Sequence, residues 1–251
     1  MDREDITESA KREFSTQVNK QEGEISSRII ENPKYLTEDQ KDSWNKNGFI
    51  LLKNFCSKEI CSEMNSSVLS IIDSMVGSEK AFSHAYANEG YIGIREMKPN
   101  PEAKTIHDEM SKIFRLHGKG VFNDFINNKR LLDLVEDILG INIDCFLSQY
   151  IFKNPGAWGQ PWHQDSSYFP FDRYPQVGAW LATSPATIEN GCLVILPGSH
   201  KEHLHEHVPD DREGSNYGYT EIKDQDFTNE TPVTLETGDL LLFHSFLMHK
   251  S

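Results

Sequence analysis

Residues 238–251 read "GDLLLFHSFLMHKS": a Gly-Asp turn, an apolar run, and two histidines, His244 and His249, five positions apart. A run this short, bounded by turn residues, reads as a buried strand rather than a helix. The same grammar recurs upstream in "DCFLSQYIFKN" (144–154), "VGAWLATS" (177–184), "GCLVILPGSH" (191–200) and "PVTLE" (232–236). The turn segments "NPGAWGQP", "ENG", "PGS" and "ETGD" separate these runs. Before residue 140 the pattern is helical. Thr37 and Gly48 bracket one predicted helix, which leads into the strand "FILLKNF" (49–55). Ser57 caps a second over "KEICSEMNSSVLSIIDSMVG" (58–77). Residues 79–105 read as irregular, and 106–139 as helical, closing at Gly140. Helices followed by many short strands predict an α+β fold: a jelly-roll or cupin-like barrel, that is, a double-stranded β-helix, buttressed by N-terminal helices. The expected division is a polar extension over 1–34 and a single domain over 35–251. Within it the helical buttress runs to about 140 and the β core spans 143–251.

The chain has 251 residues, with 39 acids against 25 bases and a formal net charge of −14. That balance argues against a nucleic-acid backbone or an anionic membrane as the main partner. A small-molecule substrate is expected. Four cysteines without a CxxC pair predict no disulfide framework. The first residues lack the apolar stretch of a signal peptide, no run is long enough to span a bilayer, and the final "HKS" is not a peroxisomal tripeptide. The expected setting is cytoplasmic.

Chemistry enters through "PWHQDSSYF" (161–169). Two apart on an extended backbone, His163 and Asp165 address one point. A second histidine from a later strand would complete two imidazoles and a carboxylate on one face of an octahedral ion. That leaves positions for a bidentate co-substrate and dioxygen, as in non-haem Fe(II) oxygenases.

The ordered set "PWHQDSSYFPF", "VGAWLATSPATIENGCLVILPGSH", "GDLLLF" and "LMHKS" resembles the phytanoyl-CoA dioxygenase family of Fe(II)- and 2-oxoglutarate-dependent oxygenases, over Leu36 to Ser251. The resemblance implies that His163, Asp165 and His249 hold Fe(II), and that His244 is not a ligand. It implies contacts to 2-oxoglutarate from Lys112, Gln149, Gln164, Trp180 and Ser251, with O2 as oxidant and succinate and CO2 as co-products. Gln149 departs from the methionine frequent in relatives. The family's arginine, about ten residues past the distal histidine, is absent, so a fragment lacking the closing strand is expected. His200, in the "PGSH" turn, is expected to support the site from outside. The tract "HKEHLHEH" (200–207) reads otherwise as surface charge. The presence of Asp165, where related halogenases lack the carboxylate, points to hydroxylation of an aliphatic C–H. The substrate would be a small organic molecule or an acyl compound. Two alternatives stay open: a cupin-like metal protein without 2-oxoglutarate chemistry, and a catalytically silent member acting as a binding protein.

Overall fold

The computed structural model describes residues 35–77, 85–88, 90–98, 100–169, 171, 175–216 and 218–251. The extension expected over 1–34 lies outside them. Helix α1 (Glu38–Asn47) starts at Thr37, whose hydroxyl accepts the Gln40 N–H while the Gln40 side chain accepts the Thr37 N–H. It ends at Gly48, where φ is +84°. A side chain is excluded there twice over, because a Cβ would also fall 2.5 Å from the His200 ring. The chain then enters β1 (Phe49–Leu52) and, after Ser57 as cap, helix α2 (Lys58–Met75).

The next stretch departs from expectation. Residues 79–105 contain β2 (Ala85–Asn88) and β3 (Tyr91–Arg95). The helical block expected over 106–139 is broken into α3 (Ile106–Glu109), β4 (Met110–Phe114), α4 (Gly120–Ile126) and α5 (Lys129–Leu139). The strands that follow are β5 (Gln149–Ile151), β6 (Val177–Leu181), β7 (Leu193–Ile195), β8 (Val208–Pro209), β9 (Thr220–Glu221), β10 (Thr231–Val233), β11 (Leu240–His244) and β12 (His249–Lys250).

Among the described residues all pairings are antiparallel. The sheets run β1-β11-β6, β10-β7-β12 and β2-β3-β4-β5, with β8-β9 a separate hairpin. Strand β11 is buried along its whole length, so its two faces serve two cores. Leu240 and Leu242, with Ile50 and Leu52 of β1, pack against Trp44 of α1 and Leu131, Leu134, Val135 and Ile138 of α5. Leu241 and Phe243 point the other way, toward Ile195 of β7 and Val233 of β10. The two three-stranded sheets therefore face one another across an apolar layer. A third core joins α2 to the four-stranded sheet through Val68, Ile72, Met75, Met110 and Ile113. The result is α+β with helices on the outside of antiparallel sheets. No described helix is long and apolar enough to cross a membrane.

Candidate metal centre

His163 and His249 lie directly opposite one another. The His163 N–H donates to the His249 carbonyl at 2.9 Å, and the His249 N–H returns the bond at 3.0 Å. Directly opposed residues of an antiparallel pair share a face, and the two ring centroids are 4.1 Å apart. Each ring is anchored in the same way. Nδ1 of His163 lies 2.8 Å from the Pro161 carbonyl, and Nδ1 of His249 lies 2.9 Å from the Leu247 carbonyl. A carbonyl only accepts, so Nδ1 carries the proton and Nε2 presents a bare lone pair.

Gln164 is extended (φ −116°, ψ 129°), which carries the pleat from His163 to Asp165; a short 3₁₀ turn, Asp165–Ser167, then ends it. The Asp165 Oδ1 stands 3.6 Å from His163 Nε2 and 3.7 Å from His249 Nε2. One ligand atom from each residue lies within 4.8 Å of the others. Burial opposes ionisation of Asp165, but His249, His163 and Lys112 outweigh it and hold the carboxyl below its ordinary value. His249 is pushed down to about 4, first by burial and then by His163. Neutral imidazole beside carboxylate is the protonation pattern a divalent metal requires. The donor set fits a ferrous ion.

The other expected contacts divide. Lys112 is not a solvated helix charge; it sits on β4, its Nζ donating to Gln160 Oε1 at 3.0 Å and lying 4.7 Å from the Tyr219 ring centroid. Burial lowers its pKa to about 8, against the pull of Asp165 and Glu96. Gln149 is exposed on β5; Ile151, two residues on, pairs with Lys112, so Gln149 shares the lysine's face of the sheet. Trp180 opposes Leu241 and packs into the layer between the sheets. Next to it Gly178 leaves room for the Phe243 ring, which a Cβ would meet at 2.3 Å. Phe243 in turn lies edge-on to His249 at 5.0 Å.

Gln164 departs from expectation. Its side chain is fully buried and occupied elsewhere, donating to the carbonyls of His203 and Phe246 and accepting the His205 N–H. Adjacent residues on extended backbone point to opposite faces, so a side chain between two ligands is directed away from them. His207 completes this clamp. Its Nδ1 donates to the His205 carbonyl and its Nε2 accepts the Gln164 N–H at 2.9 Å. Part of the "HKEHLHEH" tract is therefore a brace for the ligand turn rather than surface charge. His200 packs instead against Gly48 and the His244 ring, centroids 5.4 Å apart.

Sequence reading missed Lys153, whose Nζ donates to Ser251 Oγ at 2.8 Å. It follows Ile151 by two residues, and the alternation Gln149, Ile151, Lys153 was the available signal. A second group of acids, Asp210, Asp211 and Glu221, also lies close together. Arg212 and Ser215 engage Asp210, and Lys223 engages the other two.

The fold thus brings two histidines and one carboxylate, from segments far apart in the chain, to a point where a metal ion could be held. The comparisons agree: the profile of the phytanoyl-CoA dioxygenase (PhyH) family matches residues 44–251. The chain belongs to that family, and so to the non-haem iron 2-oxoglutarate-dependent dioxygenases. It is 25% identical over 244 residues to phytanoyl-CoA dioxygenase 1 of Oryza sativa subsp. japonica, covering 86% of this chain and 83% of that one. It is 29% identical to the peroxisomal phytanoyl-CoA dioxygenase of Bos taurus, covering 86% of this chain and 64% of the bovine one. Among solved structures, EvdO2 from Micromonospora carbonacea var. aurantiaca, complexed with 2-oxoglutarate, superposes with a TM-score of 0.61 at 17% identity, over 88% of this chain and 86% of that one. EctD from S. alaskensis, with 2-oxoglutarate and 5-hydroxyectoine, gives 0.62 at 20% identity, over 89% and 74%.

Proposed function

We propose that residues 35–251 form one domain built on a double-stranded β-helix, in which His163, Asp165 and His249 bind Fe(II). The observation that carries the proposal is the pair of bare Nε2 atoms, each within 3.7 Å of the Asp165 carboxylate. When bound, the iron and 2-oxoglutarate supply the oxidising chemistry: dioxygen is consumed, 2-oxoglutarate gives succinate and CO2, and an aliphatic C–H of the substrate is hydroxylated. The chain's own residues bind, orient and exclude water. The two backbone carbonyls fix the imidazole tautomers. Lys112 supplies a positive charge beside Asp165 for the incoming dianion, while Phe243, Leu241 and Trp180 keep water from the inner side.

The substrate we infer is a small molecule with an apolar part. Phe146, Phe169 and Phe171 form a ring cluster just beyond Asp165, with centroids 4.7–6.4 Å apart, and Phe146 and Phe171 stay 45% and 40% exposed. Exposed aromatic surface of this kind marks a binding face. The bases of the neighbouring loop are already tied to acids, Arg212 to Asp210 and Lys223 to Asp211. Among the described residues of that loop, they leave no free cradle for the phosphates of a coenzyme A thioester.

The test is an anaerobic titration with Fe(II) and then 2-oxoglutarate, following the visible metal-to-ligand charge-transfer band. The band forms with the unaltered chain and with His244→Ala, and is lost with His249→Ala. A band that survives His249→Ala sinks the assignment.

A further inference from the structure

Two of the four free cysteines face each other at one corner of the fold. Ser57 caps α2, its hydroxyl accepting the Ile60 N–H at 3.3 Å. Cys56 therefore stands one residue before the cap, and Cys61 is the fourth residue within the helix. These are the two positions whose side chains meet in a hydrophobic staple, where an apolar pair fixes the angle at which the chain enters a helix. Here the pair is two thiols, and each is among the groups that shift the other's acidity. Cys145 and Cys192 are placed differently. The Cys145 thiol donates to the Leu147 carbonyl at 3.4 Å, and Cys192 has Glu189 and Lys153 as its charged neighbours.

The corner holds both backbones in place. The Cys56 N–H donates to the Gly238 carbonyl at 2.9 Å, and a Cβ on Gly238 would fall 2.1 Å from the Cys56 carbonyl oxygen. The Cys61 N–H donates to the Ser57 carbonyl at 3.1 Å, and its Sγ lies 4.0 Å from the Ala182 carbonyl. Ala182 in turn closes the end of the β6–β11 pair, donating to Asp239 and accepting from Gly238. The two sulfurs are not equivalent. Cys61 is fully buried; burial, and then Cys56, push its thiol up to about 12. Cys56 is half-buried. Burial raises its thiol as well, but the Cys61 S–H and the Ser57 N–H donate to its sulfur and favour the thiolate. The outer sulfur is thus set up as the nucleophile, while the inner one keeps its proton.

We propose that Cys56 and Cys61 form a modification site for hydroperoxides, closing to a reversible disulfide across the first turn of α2. The Cys56 thiolate attacks one peroxide oxygen: an S–O bond forms, the O–O bond breaks, and the other oxygen leaves as water or alcohol with the proton Cys56 gave up. The Cys61 sulfur then attacks the Cys56 sulfur. The S–S bond forms, the S–O bond breaks, and hydroxide leaves as water with the Cys61 proton. The two thiols lose two electrons and the peroxide gains them. A small thiol reverses the link by exchange. Closed, the link ties the start of α2 to the edge where β1, β6 and β11 meet.

The full chain, freed of metal with a chelator so that iron drives no side oxidation, is treated with hydrogen peroxide, alkylated and digested with trypsin. Cleavage after Lys58 separates the two cysteines, so the expected product is the peptide 54–58 joined to the one that begins at Glu59. The intact chain loses two hydrogens in mass, Cys145 and Cys192 alkylate as before treatment, and dithiothreitol restores the starting mass. Cys61→Ala removes the second thiol, and Cys56 then accumulates as a sulfenic acid that dimedone traps. The inference is overturned if peroxide leaves all four thiols of the unaltered chain free, or if Cys56 takes up oxygen without forming the link. A disulfide that joins any other pair, or two chains, overturns it equally. No dimedone adduct on Cys56 in Cys61→Ala overturns the assignment of Cys56 as the attacking sulfur.

Discussion

Two pairs of buried histidines lie on opposite sides of strand β11, and only one of them is proposed as a metal site. His163 and His249 are each 4% exposed, His200 and His244 5% and 3%, so burial does not separate them. Ring spacing separates them little, at 4.1 Å against 5.4 Å. Two things differ. Asp165 faces the first pair, and the ring proton of His244 sits on the nitrogen opposite to theirs. His163 and His249 give Nδ1–H to carbonyls and expose Nε2. His244 accepts the Phe246 N–H at Nδ1, at 2.9 Å, so its proton is on Nε2 and that atom has no lone pair to offer. A buried imidazole becomes a ligand through the partner its other nitrogen finds.

The comparison can be broken most severely at its one carboxylate. Asp165→Ala leaves two neutral imidazoles, as the second pair has, and is expected to abolish oxygenation and the charge-transfer band. Fe(II) affinity falls by more than the 10- to 100-fold typical of outer-sphere changes. Full hydroxylase activity in this variant would refute the assignment. His207→Ala tests the brace rather than the ligands: without an acceptor for the Gln164 N–H, metal affinity drops by about 10-fold, measured by competition with a chelating dye. His207→Ala binding metal as the unaltered chain does would show that the clamp is ornamental to the centre. On the other side of β11, His244→Ala leaves metal binding intact and costs about 1–3 kcal/mol of stability, from the lost volume and the lost acceptor. Denaturant midpoints at fixed metal check it.

Acidification sharpens the contrast with the smallest change. Burial lowers the pKa of His244 to about 3, and of His200 and His207 to about 4 each, from 6.5. The unfolded chain therefore takes up these protons first. Their contribution is intact above pH 6.5 and is lost as pH falls from there toward 4. The metal-free chain should show a denaturant midpoint that declines between pH 7 and 5, and His244→Gln should flatten that slope. A flat profile in the unaltered chain contradicts the neutral, buried state of these rings.

Strands β5, β6, β7, β10 and β11 were legible because each lies in a bounded apolar run, and the caps Thr37, Gly48 and Ser57 because capping is local chemistry; β8 and β9, in a polar stretch, were not. Strand β4 was not. "MSKIF" (110–114) is compatible with either helix or strand, and it becomes a strand because β3 and β5 pair with it from residues far apart in the chain. Misreading β4 hid the surroundings of Lys112, and with them Lys153. The three residues proposed to bind metal, which the structure brings together, could be read because ligand chemistry demands particular side chains. Gln164 and His207 could not, because their part is to hold backbone groups that meet only after folding. The resemblance implied Gln164 as a co-substrate contact, but its place between His163 and Asp165 on extended backbone turns its side chain to the opposite face.

The backbone bridge between His163 and His249 joins segments 86 positions apart, through a strand, β12, only two residues long. An ion gripping both imidazoles and Asp165 would fasten that seam from the side-chain direction. At 100 times its dissociation constant it would add about 2.7 kcal/mol to the stability of the folded chain. Survival against proteases would then follow iron supply, and the amount of this protein in a cell would rise and fall with the metal it uses.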